Sequence, residues 1–94
     1  MTATQEKKLV AAIDKVLEAA HRLDEYPAAK LEALKTVYRT MASGRDYITA
    51  AEETHLTQAA LELGWEAGLI ADFLAFKHAC RRRDELAAAY GVED

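Results

Sequence analysis

One cysteine, one proline, one tryptophan and four glycines are all that 94 residues contain of those types, and each scarcity removes a class of architecture. A lone cysteine builds no internal disulfide framework and agrees with a reducing compartment. With so little proline and glycine the chain is poor in turn-forming residues, and β-branched residues are sparse as well, so a sheet protein is not expected. No apolar run approaches the roughly 20 residues that cross a bilayer. The opening "MTATQEKKLV" is too charged for the apolar segment of a secretory signal. The expectation is a cytoplasmic protein with no membrane partner. An excess of one charge is also lacking, because the net charge is −4 with acidic and basic side chains interspersed. That balance gives no overall drive toward nucleic acid and does not make a DNA mimic.

What is present is alanine, twenty times, within 51% hydrophobic and 30% charged residues. This composition fits one soluble helical domain spanning 1–94. Leu9, Ile13, Val16, Ala20 and Leu23 recur at three- and four-residue steps and predict a first helix over 4–24. Pro27, suited to a helical first turn, opens a second over 27–43 with Leu31, Leu34, Val37 or Tyr38, and Met41 on its stripe. Gly44 follows as a residue able to take the left-handed conformation at a helix end. Thr49 with Glu52 reads as a capping box opening a third helix over 49–63, which Gly64 ends. The fourth, over 66–90, carries Leu69, Phe73, Phe76, Cys80, Ala87 and Tyr90 on one side. At 1.5 Å per residue it runs about 37 Å against roughly 22 Å for the third, so its end projects or meets another element. The predicted fold class is a compact all-α four-helix domain.

Candidate chemistry is thin. Glu18 with His21 and Glu52 with His55 have the Glu-x-x-His spacing of di-metal helical bundles. The first pair lies about 170° and 110° from the apolar stripe of its helix, and Glu52 is already needed as a cap beside a partly buried His55. No metal, cofactor or catalytic residue is therefore expected. Cys80 sits near Lys77, His78 and Arg81 to Arg83, which could activate a thiol, but its place on the aromatic stripe predicts a shielded, inert side chain. The run "KHACRRR" over 77–83 nevertheless puts Lys77, His78, Arg81 and Arg82 on an exposed face fit for an anion, an RNA or an acidic protein.

Over residues 56–77 the stretch "LTQAALELGWEAGLIADFLAFK" resembles helix-turn-helix segments. Ala59 and Ala60 stand where the two helices approach, Gly64 stands at the turn, and Leu63, Ile70 and Phe73 stand in the shared core. The resemblance implies a DNA-reading second helix, but Glu66, Ala67, Gly68, Ala71 and Asp72 would face the groove, with no cation or amide and two carboxylates toward phosphate. The leading expectation is a non-enzymatic interaction protein: a regulator, inhibitor or assembly subunit, of a kind that phages or mobile elements encode. It acts through contacts with another protein or as a homodimer. Its candidate surface comprises Trp65, Glu66, Asp72, Lys77, His78, Arg81, Arg82 and Tyr90, since aromatics are favoured at interface centres. The alternative is a helix-turn-helix DNA-binding transcriptional regulator using residues 57–76 and the basic run 77–83. Far-ultraviolet circular dichroism should show a helical spectrum without a strand component; substantial strand signal would overturn the helical assignment.

Overall fold

Four helix-forming segments become four α-helices in the computed structural model, which describes residues 1–92: α1 (Ala3–Leu23), α2 (Ala28–Ala42), α3 (Ala50–Glu62) and α4 (Ala67–Ala89). No strand occurs among the described residues. Each helix end falls within one residue of its expected position, because the chemistry that stops the helices is local. Thr49 accepts from the Glu52 N–H while Glu52 accepts from the Thr49 N–H, closing the expected capping box. Thr2 and Gln5 close a second box at the start of α1. Gly64, at φ +83°, ends α3, with the Trp65 N–H donating back to the Ala60 carbonyl at 3.0 Å. This wrap satisfies a carbonyl that the helix end would otherwise leave open.

α1 and α4 form the main helix pair, and they run antiparallel. Leu9 and Ala12 near the start of α1 cluster with Leu86, backed by Ala87 and Tyr90, near the end of α4. Leu23, at the other end of α1, joins Leu69 and Phe73. The far end of α4 therefore meets α1 instead of projecting. The buried stripe of α1 is Leu9, Ala12, Val16, Ala19 and Leu23. Ile13, expected on that stripe, is 39% exposed, and Ala20 is half-buried. The stripe is centred on Ala12 and Ala19, where small side chains let two backbones lie close together, and Ile13 falls at its edge.

The larger core forms where α2 and α3 close over the first half of α4. Leu34, Tyr38 and Ala42 of α2, Ile48 of the connecting loop and Leu56 of α3 surround Leu69 and Phe73. Phe73 presents its ring edge to Tyr38, with centroids 5.5 Å apart and planes at 77°. The Tyr38 hydroxyl, inside this core, accepts from the Ile48 N–H at 3.2 Å, so its polar end is satisfied. Arg45 joins α2 to α3: its guanidinium donates to the Ala42 carbonyl at 2.8 Å and to both Glu52 carboxylate oxygens at 2.8 and 2.9 Å. Of the positions assigned to a shared core of α3 and α4, Ile70 and Phe73 are buried, and Ala60 is buried where the helices approach, but Leu63 is 74% exposed and Ala59, the other alanine of that approach, is exposed. Leu56 takes their place, since Leu63 lies beyond the last helical turn and follows the chain outward into the Gly64 bend. Phe73→Ala should lower unfolding free energy in urea by about 3 to 5 kcal/mol, whereas Leu63→Ala should change it by less than about 0.5 kcal/mol. A large loss at Leu63 would contradict its exposed placement.

Candidate functional site

The face at the start of α4, nominated by the motif resemblance, is held by the turn between α1 and α2 and by the first turn of α2. The Tyr26 hydroxyl donates to the Asp72 carboxylate at 2.7 Å, and Lys30 donates to Glu66 at 3.3 Å. A Cβ added at Gly68 would stand 3.2 Å from the Tyr26 hydroxyl, so glycine there makes room for the tyrosine. The bond to Asp72 also raises the Tyr26 pKa, since it holds the proton between the two oxygens. Asp72 is thus a half-buried acceptor with a partner of its own, not the unengaged exposed carboxylate of the expected interaction face. Trp65 packs half-buried against the larger core and Tyr90 half-buried against the smaller one. Both aromatics are used inside the chain.

The basic run is largely answered from within. The Lys77 ammonium lies 4.7 Å from the Tyr38 ring centroid and 5.8 Å from that of Tyr47, within reach of a cation–π contact. Arg81 pairs with Glu85 one turn on and also approaches the Tyr47 ring. His78 bonds through Nε2 to the Glu53 carboxylate of α3. Arg83 bonds to Asp84, and the Tyr47 hydroxyl donates to the same carboxylate. Those two donors hold Asp84 below the usual carboxylate range, while partial burial and the Asp84 bond push Tyr47 up. Among the described residues, Arg82 alone of these side chains has neither an ion-pair nor an aromatic partner.

Arg82 closes one side of a feature that spans two helices. Lys15, Glu18, Ala19 and Arg22 of α1 and Ala75, His78, Ala79 and Arg82 of α4 line a groove of 420 Å³ along the helix pair. A recess of 290 Å³ adjoins it on the other side of His78 and Arg82, bounded by Tyr47, Glu53, Arg81 and Glu85. Lys15 and Arg22 escaped the sequence reading because they sit on a different helix from the basic run. A signal existed in the seven-residue spacing of Lys8, Lys15 and Arg22, which places all three on one side of α1.

No three potential metal ligands converge among the described residues. Glu18, His21 and His55 are exposed, so the expected partial burial of His55 does not occur, and Glu52 is committed to Arg45 and Thr49. Cys80 is buried, and burial raises its thiol pKa in spite of the neighbouring Arg83 and Lys77. Comparison of the chain with known proteins finds no matching family model, curated protein or solved structure.

Glu52 carries a pH dependence. Arg45 first, and the Thr49 N–H after it, lower its pKa from 4.5 to about 2. A lowered carboxylate pKa contributes stability that is present above 4.5 and lost as pH falls through about 2. Its side chain is 28% exposed, so solvent screens the gain. The urea midpoint should decline across that interval, and Glu52→Gln, which still accepts from the Thr49 N–H, should flatten the decline. An unchanged slope in the variant would remove Glu52 as its source.

Proposed function

We propose that this chain is a non-enzymatic helical interaction protein, a regulator, inhibitor or assembly subunit that works through contact with another protein or a second copy of itself. One observation carries the reading. Beside its buried stripe, α1 exposes a second aliphatic row, with Val10 50%, Ile13 39% and Leu17 62% accessible at helical spacing. Isolated surface aliphatics are ordinary, but a row along one helix is a continuous apolar strip, and such strips are typical of surfaces that meet other proteins. Lys7 and Asp14 lie beside the row and supply a polar rim.

The side-chain chemistry is consistent with a binding role. The Glu53–His78 pair has the composition of an acid–base couple, yet the sole thiol is buried with a raised pKa, and His78 is 66% exposed beside an ion-paired Arg81. Electrostatic catalysis favours a dry, preorganised site instead. DNA binding through residues 57–76 and the run 77–83 is the weaker alternative. Tyr26 and Lys30 engage the face that would read bases, and most of the run's cations have intramolecular partners that phosphate would need to displace.

Val10→Asp combined with Leu17→Asp should leave the helical spectrum intact, because both side chains are exposed, and should abolish the contact that wild type makes. Sedimentation velocity across a concentration series reads self-association. Affinity capture from the source cell, with nuclease treatment, reads a partner. A wild-type protein that stays monomeric and captures only duplex DNA removable by nuclease would sink the proposal.

A further inference from the structure

The groove between α1 and α4 is separate from the aliphatic row and differs from it in chemistry. Ala19, Ala75 and Ala79 contribute an apolar lining, and Lys15 and Arg22 on one side face Arg82 on the other. None of these three cations has an ion-pair partner among the described residues, and Glu18 is the groove's one lining carboxylate. The chain is acidic overall, and this groove gathers three such cations from two helices around a single carboxylate.

Resting on the reading of the chain as a protein-contact module, we infer that this groove receives an acidic amphipathic helix of a partner protein. Alanine side chains permit a third helix to approach closely and offer an apolar surface to its aliphatic face. Lys8, Lys15 and Arg22 recur every seven residues along α1. Two helical turns separate each from the next, about 10.5 Å. Carboxylates at seven-residue intervals on a helix lying along α1 match that separation, and Arg82 engages the opposite flank of the same helix. A phosphodiester strand fits less well: it offers no aliphatic face to the alanines, and Glu18 stands on the lip between Lys15 and Arg22, where it repels phosphate but leaves room for a mixed-charge peptide.

The test uses the full chain and labelled probes followed by fluorescence anisotropy. The first is a peptide of roughly 21 residues, three heptads, with alanine and leucine on one face and flanking glutamates at heptad spacing. The second replaces those glutamates by lysine, and the third is a duplex DNA of similar length. Wild type should bind the acidic peptide in preference to the other two, and binding should weaken with salt. Arg22→Glu with Arg82→Glu, both at exposed positions and checked by circular dichroism, should weaken the acidic peptide by about tenfold or more and gain binding to the lysine peptide. That exchange of preference distinguishes a charge-matched groove from general stickiness. No binding of the acidic peptide, equal affinity for both peptides, no effect of the double substitution, or tighter binding of the duplex would each overturn the assignment. Self-association abolished by the same double substitution would overturn it too, making a second copy the occupant. Val10→Asp with Leu17→Asp leaves the groove cations untouched. If that variant loses a protein contact while the acidic peptide never binds wild type, the groove assignment fails alone and the functional reading stands.

Discussion

The antiparallel contact of α1 with α4 is the constraint on which the rest of this molecule depends. It is made largely by alanine and leucine, with Ala12 and Ala19 alternating with Leu9, Val16 and Leu23 along the buried stripe of α1. Because α1 turns its alanine side toward α4, Ile13 is displaced outward and joins Val10 and Leu17 in an exposed row. The same closeness brings Lys15 and Arg22 alongside Arg82 across a floor of small residues. Both candidate interaction surfaces are therefore by-products of one packing decision. α2 and α3 then complete a core around Phe73 and Tyr38 at only one end of the pair, which leaves α1 and α4 to cover each other over the remainder.

Electrostatics in this fold work mainly to join elements. Arg45 and Glu52 tie the end of α2 to the start of α3, Glu53 and His78 tie α3 to α4, and Tyr26 and Asp72 tie the turn after α1 to α4. Each pair is at or near the surface, so each contributes modestly to stability. Their stronger effect is on register, because a directional bond fails when one helix slides along another. Tyr47 extends this logic to the basic run, with its ring beneath Lys77 and Arg81 and its hydroxyl on Asp84. A stretch of like charge in the sequence is in this way divided among separate neighbours.

The helices and their ends were legible in the sequence because their causes are local: Thr49 with Glu52, Gly64, and the three- and four-residue recurrence of aliphatics. The choice of partner was not legible. An amphipathic stripe establishes that a face seeks cover without identifying which helix supplies it, so the sequence left open whether the end of the long fourth helix projects or meets another element, and α1 is the element it meets. Leu63 and His55 were misjudged for a related reason. Angular position on an ideal helix ignores that Leu63 lies where the chain bends away and that α3 is covered on one narrow face, at Leu56 and Ala60. The Tyr26–Asp72 bond spans 46 positions and the Arg22 and Arg82 pairing of lips spans 60, distances over which spacing rules carry no information. Asp72 looked free because nothing nearby in sequence could claim it.

Arg45 has one more consequence, for digestion by trypsin-like proteases. It lies in the exposed connection after Ser43 and Gly44, both at positive φ, where a protease would ordinarily find flexible backbone. Such enzymes must draw the arginine side chain into a specificity pocket, yet this guanidinium already binds the Met41 and Ala42 carbonyls and the Glu52 carboxylate. Cleavage there requires that the staple between α2 and α3 first release, so the rate at which this bond is cut becomes a clock for local opening of the connection. A residue that would mark the loop as vulnerable is the one that keeps it closed.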